Sequence, residues 1–279
     1  MNSTKPKLVT GGNGKIGSLL IQRPDFVFLD CDVTDINSIN ERAYALLGEE
    51  WEFDVVVNLA AISSIDTCEE NYDKAIDINT HGLANLHKVF GDRVLNISSD
   101  QVFSGKNWIL PNEDTKPNPV NNYGFTKMGA ETVSKIFGGK TLRLSRTVSL
   151  TDPDIDLYLT DLLEGDTVSV PTFFTRNYMH REFAVDAIEF MVRNWDDQDI
   201  PPLVNYGGTD HITMFGFVKM LVVQLGLDHK KVLKNDKYDD TLTPRPRNGG
   251  FKVGLAEELG FPMYSAMKTI ERLKGEFHA

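Results

Sequence analysis

The sequence predicts an α/β fold of the doubly wound type: a parallel sheet with helices on both faces and a smaller C-terminal lobe laid over the strand ends. Three observations carry this reading. Short apolar bursts bounded by turn residues alternate with longer stretches of helical period through the first half of the chain. A glycine-rich turn, Gly11-Gly12-Asn13-Gly14-Lys15-Ile16-Gly17, follows the first burst directly. Beyond about residue 146 the rhythm loosens into helical stretches separated by Pro-rich and aromatic loops.

In chain order, strands are predicted over 8–10, 26–29, 54–58, 93–97 and 141–144. A helix is predicted over 36–47. Another carries Ile76, Leu83, Leu86 and Phe90, whose spacing places them on one face. The helix that opens at Tyr123 should stop at Gly138-Gly139, where a left-handed cap costs least. Further helices are predicted over 156–163, 182–195, 214–225 and 265–274. Pro201-Pro202 and the Pro244 to Pro246 segment are too short to be linkers, so residues 1–145 and 146–279 are expected to interleave as a single folding unit.

Length and composition narrow the function classes. A chain of 279 residues, 41% hydrophobic and 25% charged, can bury a full core without disulfides or metal. The 29 Lys and Arg against 40 Asp and Glu give a net charge of −11, the wrong sign for attraction to a phosphate backbone, and nucleic acid is not expected as a partner. Residues 1–7 are polar and lack the apolar core of a signal peptide, and no apolar run approaches the roughly 20 residues that span a bilayer. Cys31 and Cys68 read as packed thiols in a reducing compartment. Together these point to a cytoplasmic protein. His180 and His211 have no ligand-like spacing to other His, Cys or carboxylates, and no metal site is read.

The glycine turn has a specific physical use. Glycine at the first two of the three spaced positions, Gly11, Gly14 and Gly17, permits a tight turn and lets backbone N–H groups approach a pyrophosphate; the third lets the helix sit close to the sheet. The helix N-terminus adds a partial positive charge. The first 145 residues are therefore read as a Rossmann-like dinucleotide-binding part, and the remainder as mostly a substrate-binding lobe. Asp32 suits an adenine amino group equally well as a turn at the start of the next helix, which Thr34 or Asp35 would cap. Only about fifteen residues separate Gly17 from Asp32, room for one helix and one strand. Asp30 would disfavour a ribose 2′-phosphate, and Lys15 or Arg23 would attract one, so NADP(H) and NAD(H) both stay open.

Tyr123 and Lys127 are four apart and share a helix face, just after a strand that ends in Ile97-Ser98-Ser99-Asp100. A serine at the carboxyl edge of such a strand lies where open α/β sheets bind ligands. Hydride reduction of a carbonyl needs a proton donor for its oxygen; a lysine charge lowers the phenol pKa and a serine hydroxyl holds the oxygen in place. Ser99, Tyr123 and Lys127 are the candidate catalytic set. Tyr264 and Lys268 form a second pair of the same spacing, to which no chemistry is assigned.

With these residues placed, the sequence resembles the extended short-chain dehydrogenase/reductases, and within them the dTDP-4-dehydrorhamnose reductases. The matching segments are the glycine turn, DVVVNLAAISSID at 54–66, Asn79, ISSDQVFSG at 97–105, PNPVNNYGFTKMGAE at 117–131, LRLS at 142–145 and PRPRNGG at 244–250. The resemblance implies that Gly11, Asn13, Gly14, Lys15 and Ile16 meet the cofactor phosphates, Asp32 and Val33 the adenine, and Ala60, Ala61 and Ser63 the ribose and nicotinamide. It places Tyr123 and Lys127 on the cofactor as well, and Ile65, Ser99, Asp100 and Gln101 near the sugar.

Dehydratases of that superfamily carry Asp-Glu after the catalytic Ser or Thr, where Asp100-Gln101 stands here, which argues against dehydration. Gln101 and Arg146 replace a tyrosine and a tryptophan usual in the reductases. Arg146, Arg176, Arg181, Arg245 and Arg247 are candidate diphosphate partners or surface charges, with Arg245 favoured by its family segment. The reading is an NAD(P)H-dependent reductase of a 4-keto-6-deoxy sugar nucleotide. A sugar-nucleotide epimerase and a non-catalytic nucleotide-binding regulatory subunit are the rivals, and the resemblance allows a homodimer.

Overall fold

β1 (Lys7–Thr10) is buried along its length and runs into the glycine turn. This computed structural model describes residues 5–107 and 109–278, so the first four residues of the polar N-terminal stretch lie outside it. α1 (Gly17–Leu20) is a single turn, and β2 (Phe26–Phe28) follows within a few residues. α2 (Ile36–Leu47) is capped by Asp35, whose carboxylate accepts from the Asn37 N–H at 2.9 Å, and ends at Gly48 with φ +70°. After β3 (Val56–Asn58) come α3 (Ile65–Glu70) and α4 (Tyr72–Ile76). A π turn over Asp77–His81 leads on into α5 (Gly82–Phe90). β4 (Val94–Ser99), α6 (Asn122–Phe137) and β5 (Lys140–Leu144) complete the first half, with α6 stopping at left-handed Gly138.

The second half runs β6 (Thr147–Val148), α7 (Pro153–Glu164), β7 (Val168–Pro171), β8 (Thr175–Arg176), β9 (Met179–His180) and α8 (Arg181–Arg193). It continues with β10 (Leu203–Tyr206), β11 (Ile212–Thr213), α9 (Met214–Gln224), β12 (Val232–Asn235), α10 (Gly254–Glu258) and α11 (Ala266–Phe277).

The main sheet is parallel, in the order β10-β5-β4-β3-β1-β2. The chain leaves β1 toward β2 on one side and returns to β3 on the other, so a crevice opens between the carboxyl ends of β1 and β3. Alternate residues feed two cores: Val9, Val57 and Leu95 pack under α8 on one face, while Leu8, Val56 and Val94 pack under α2 and α5 on the other. A third core joins α7, α9 and α11 to β7 and β12 in the C-terminal lobe.

Two elements depart from the periodicity reading. β10 is a sixth strand of the sheet that residues 203–206 do not announce: Asn205 breaks the apolar run, and pairing with β5 fixes the segment as a strand. The predicted helix around residue 76 is real, but the π turn inserts an extra residue and rotates the helix by about 100°. Leu83, Leu86 and Phe90 stay buried, whereas Ala75 takes the inward place expected of Ile76 and Asn79 is turned into the interior.

Candidate active site

The glycine turn is close-packed against its surroundings. Gly11 has φ +66°, and a Cβ there would lie 2.6 Å from the Ala60 backbone nitrogen. A Cβ on Gly17 would come within 2.2 Å of the Gly11 carbonyl oxygen, and one on Gly12 within 2.5 Å of the Phe28 ring. The turn is therefore a cradle with its floor on the 59–60 backbone and its side on the end of β2, open at the carboxyl edge of the sheet, as a pyrophosphate needs. Thr10 donates from Oγ1 to Asn58 Oδ1 at 2.7 Å and ties the ends of β1 and β3 together. Ala60, Ala61 and Ser63 continue along that edge, none of them fully buried, and Asn13 and Ile16 stand on the turn itself.

Asp32 serves the turn reading: its carboxylate accepts from the Thr34 N–H at 2.9 Å and from the Thr34 hydroxyl at 2.7 Å, which holds it below the usual carboxylate range. Val33 is buried beneath Gly82. Lys15 reaches the buried Asp152 at 2.8 Å, which Arg181 also engages. Burial opposes the Asp152 charge, and Lys15, Arg181 and Arg146 overcome it, leaving that carboxyl below its ordinary value.

Ser99 closes β4 at the same edge. Asn121 caps α6, accepting from the Gly124 N–H at 2.8 Å, and so sets Tyr123 in the first turn. One turn on, Lys127 is buried and donates from Nζ to the Ile97 carbonyl at 2.9 Å, while its ammonium lies 5.9 Å from the centre of the Tyr123 ring. The Ser99 hydroxyl is near enough to the phenol to favour its ionised form, and it donates to Asp100 at 3.4 Å while accepting from the Gln101 N–H at 3.3 Å. The three candidate catalytic side chains thus converge. Their electrostatics differ from the sequence expectation in one respect: burial pushes the Tyr123 phenol above its ordinary value although the nearby Ser99 hydroxyl acts to lower it, with Asp100 adding to the rise. Burial also lowers the Lys127 ammonium to about 8. The phenol is held in its proton-bearing form.

Beneath the set lies a buried support. Ser98 donates to Glu131 at 2.6 Å, and Glu131 takes Arg143 in a two-point bond of 2.7 Å each. Asn79 accepts from the Ile62 N–H at 2.8 Å and donates to the Ile62 carbonyl and to Thr126, fixing the segment after β3 against α6.

Asp100 is buried and engaged by Arg176 Nε at 3.2 Å, the Ser145 hydroxyl at 3.3 Å and the Gly250 N–H at 3.1 Å. Gln101 donates from Nε2 to Asp100 and accepts at Oε1 from Asn121, so both ends of its amide are used inside the protein. Arg176 also donates to the carbonyls of Thr175 and Pro246. Both readings of Arg176, diphosphate ligand and surface charge, are corrected: it is a buried strut between β4 and the 244–250 segment. Asn121, which also donates to the Pro244 carbonyl at 3.0 Å, was not singled out from sequence, although an Asn just before a helix is a capping signal.

The remaining candidates are spread around the crevice. Arg146 pairs with Asp154 through two contacts of 2.9 Å, Arg245 with Asp66 beside half-buried Ile65, and Arg247 lies 4.0 Å over the Tyr238 ring. His180 caps α8 and lies 2.9 Å from Glu276, and His211 meets the Gly249 carbonyl at 2.6 Å. Tyr264 donates to Asp186 while Lys268 pairs with Glu271, so the second Tyr/Lys pair is engaged elsewhere. Among the described residues no cluster of His, Cys, Asp and Glu is arranged to hold a metal ion, and no helix is long and apolar enough to cross a membrane.

A six-stranded parallel sheet with a glycine turn after its first strand, and a Ser-Tyr-Lys constellation at the same edge, defines a Rossmann-like protein of the short-chain dehydrogenase/reductase type. The chain belongs to the family described as the RmlD substrate binding domain, whose sequence profile matches residues 6–150. It is 28% identical over 142 residues to the probable low-salt glycan biosynthesis reductase Agl14 of Haloferax volcanii, covering 44% of this chain and 46% of that protein. It is 31% identical over 135 residues to the methionine adenosyltransferase 2 subunit beta of Danio rerio, covering 44% and 42%. The matched stretch thus spans less than half the length of these curated relatives. The whole fold is similar to the crystal structure of dTDP-4-dehydrorhamnose reductase from Bacillus anthracis in complex with NADP, with a TM-score of 0.86, 21% identity and 99% of each chain covered.

Proposed function

We propose that the protein is an NAD(P)H-dependent reductase of a 4-keto-6-deoxy sugar nucleotide, working in the manner of the dTDP-4-dehydrorhamnose reductases. The observation that carries this reading is the convergence of Ser99, a proton-bearing Tyr123 and Lys127 at the sheet edge that the glycine turn borders. A nicotinamide dinucleotide, when bound, supplies the hydride for C4, chemistry that no side chain of this chain offers.

The protein's own residues do the rest. Gly11, Asn13, Gly14, Lys15 and Ile16 border the pyrophosphate, and Val33 and Asp32 the adenine. Ala60, Ala61 and Ser63 line the path from the turn toward Ser99. The Ser99 hydroxyl orients the carbonyl oxygen at C4, and Tyr123 gives that oxygen its proton as it becomes an alkoxide. Lys127, cationic below a pH of about 8, stabilises the phenolate left behind. Arg146 and Arg245, on loops flanking the crevice, are the proposed partners of the sugar nucleotide, which must exchange places with Asp154 and Asp66 to reach them.

The engagement of Asp100 and Gln101 with neighbouring protein groups supports reduction over dehydration, because neither is free to act as the acid/base that elimination of water requires. On this reading both residues are supports of the sugar pocket. The likeness to a methionine adenosyltransferase subunit favours a second reading, a non-catalytic regulatory subunit.

One assay separates the readings. Purified protein mixed with dTDP-4-dehydrorhamnose should oxidise NADH or NADPH in stoichiometric amounts. Bound dinucleotide with no net oxidation points to an epimerase, and dinucleotide binding without any turnover points to the regulatory role.

A further inference from the structure

We propose that Tyr178 is a substrate-binding residue of the sugar pocket, its phenol taking a hydroxyl of the hexose. This rests on the reductase reading and adds to it a residue that the sequence did not single out. Tyr178 lies between β8 and β9, only 4% exposed, and its ring stacks on Phe217 of α9 with centroids 4.6 Å apart. Yet no hydrogen bond ties its hydroxyl to another of the described residues. Nor is that oxygen sealed in the interior without a partner, as His87 Nε2 and Asn205 Nδ2 are. Tyrosines buried for packing alone find an internal partner. Tyr206 and Tyr264 do so, donating to the Pro262 carbonyl and to Asp186. A buried ring whose hydroxyl is unpaired but reachable is what a ligand-facing phenol presents.

The neighbours of the hydroxyl identify the space it opens on. β6 and β9 run parallel with Thr147 beside Met179, and the Met179 N–H donates to the Arg146 carbonyl at 3.0 Å, so Tyr178 and Arg146 stand side by side where the two strands begin. Burial pushes the phenol above its ordinary range against the pull of Arg176 and Arg146, and Asp154 and Asp100 add to the rise. Asp100 directly follows Ser99, and Arg146 flanks the crevice, so the hydroxyl stands between the catalytic edge and the crevice mouth. It keeps its proton and can both donate and accept. On the β4 side the polar groups are spent inside the protein: Asp100 on Arg176, Ser145 and Gly250, and Gln101 on Asp100 and Asn121. A 4-keto-6-deoxy hexose joined to its nucleotide through C1 carries hydroxyls only at C2 and C3. With C4 at Ser99 and Tyr123 and the diphosphate toward Arg146, one of those two hydroxyls meets Tyr178.

The test is calorimetric titration of the full chain, in the presence of NAD+ and NADP+, with dTDP-rhamnose, the expected reduction product, and with dTDP, which lacks the sugar. Parent protein and Tyr178→Phe are compared. The variant keeps the ring and its stack on Phe217, so its melting temperature should hold. Its affinity for dTDP-rhamnose should fall by a factor on the order of ten, while its affinity for dTDP stays within about twofold of the parent's. Unchanged binding of dTDP-rhamnose, or a loss that extends equally to dTDP, overturns the assignment of Tyr178 and leaves the reductase reading intact. A variant that melts below the parent places the hydroxyl inside the fold and overturns it as well. A parent protein that binds neither compound removes the reductase reading and the proposal with it.

Discussion

Lys127 donates from Nζ to the carbonyl of Ile97, two residues before Ser99 on the same strand, at 2.9 Å. The bond pins the ammonium under the crevice, and burial lowers its pKa to about 8 while the phenol it serves is pushed up. The sign is fixed by which form is active. Lys127 must be charged to stabilise a phenolate and loses its proton as pH rises through about 8, while Tyr123 keeps its own throughout that range. The kcat/KM for reduction should therefore fall with an alkaline limb near pH 8 that belongs to the lysine. A limb first appearing above a pH of about 10, the ordinary phenol range, would assign it to the tyrosine and remove Lys127 from the charge balance.

Replacing Tyr123 with phenylalanine removes the proton and leaves the ring, which Lys127 faces at 5.9 Å. Turnover with a 4-keto sugar nucleotide should drop by a factor on the order of 10² or more, with dinucleotide affinity changed little. Steady-state kinetics together with a binding titration checks both halves. Near-normal turnover would show that the proton comes from elsewhere.

Asp100 and Arg176 form a buried pair, 5% and 9% exposed, that joins the end of β4 to the 244–250 segment. Arg176→Met leaves the carboxylate buried without its cation and should cost about 3–5 kcal/mol in urea unfolding. Adding Asp100→Asn to that variant removes the stranded charge and keeps an acceptor for the Gly250 N–H, so the double variant should be more stable than Arg176→Met alone. A double variant equal to or weaker than the single would mean that Asp100 is not stabilised chiefly by Arg176.

What the sequence made legible is what local spacing encodes. Tyr123 and Lys127 are one helical turn apart behind a capping Asn, and Ser99 ends an apolar run, so their meeting follows from strand and helix geometry alone. The glycine turn is equally local. Arg176 was not legible, because its partner Asp100 lies 76 positions earlier and only the packed lobe brings them together. β10 depends in the same way on a long-range partner, β5. Gln101 read as a substitution near the sugar, yet its amide is spent on Asp100 and on Asn121, a network no periodicity records. The π turn that aims Asn79 inward inserts a residue into an otherwise regular pattern, and a phase shift of that kind emerges only when the helix has something to pack against.

The glycines provide a contrast that tests the cradle directly. Gly17 opens α1 with its α-carbon against the turn it follows: a Cβ would sit 2.2 Å from the Gly11 carbonyl oxygen and 2.9 Å from the Gly12 α-carbon, both backbone atoms that cannot swing aside. Gly17→Ala should cost about 1–3 kcal/mol and displace the turn enough to abolish dinucleotide binding. Gly254 opens α10 with nothing within 4 Å of where a Cβ would lie, so Gly254→Ala should instead stabilise by about 0.4–1 kcal/mol, chiefly by restricting the unfolded chain. Thermal unfolding and a dinucleotide titration on both variants separate a general effect of added methyl groups from the specific loss of the turn. If Gly17→Ala melts with the parent protein and still binds dinucleotide, the close approach of α1 to the sheet is not what shapes the site.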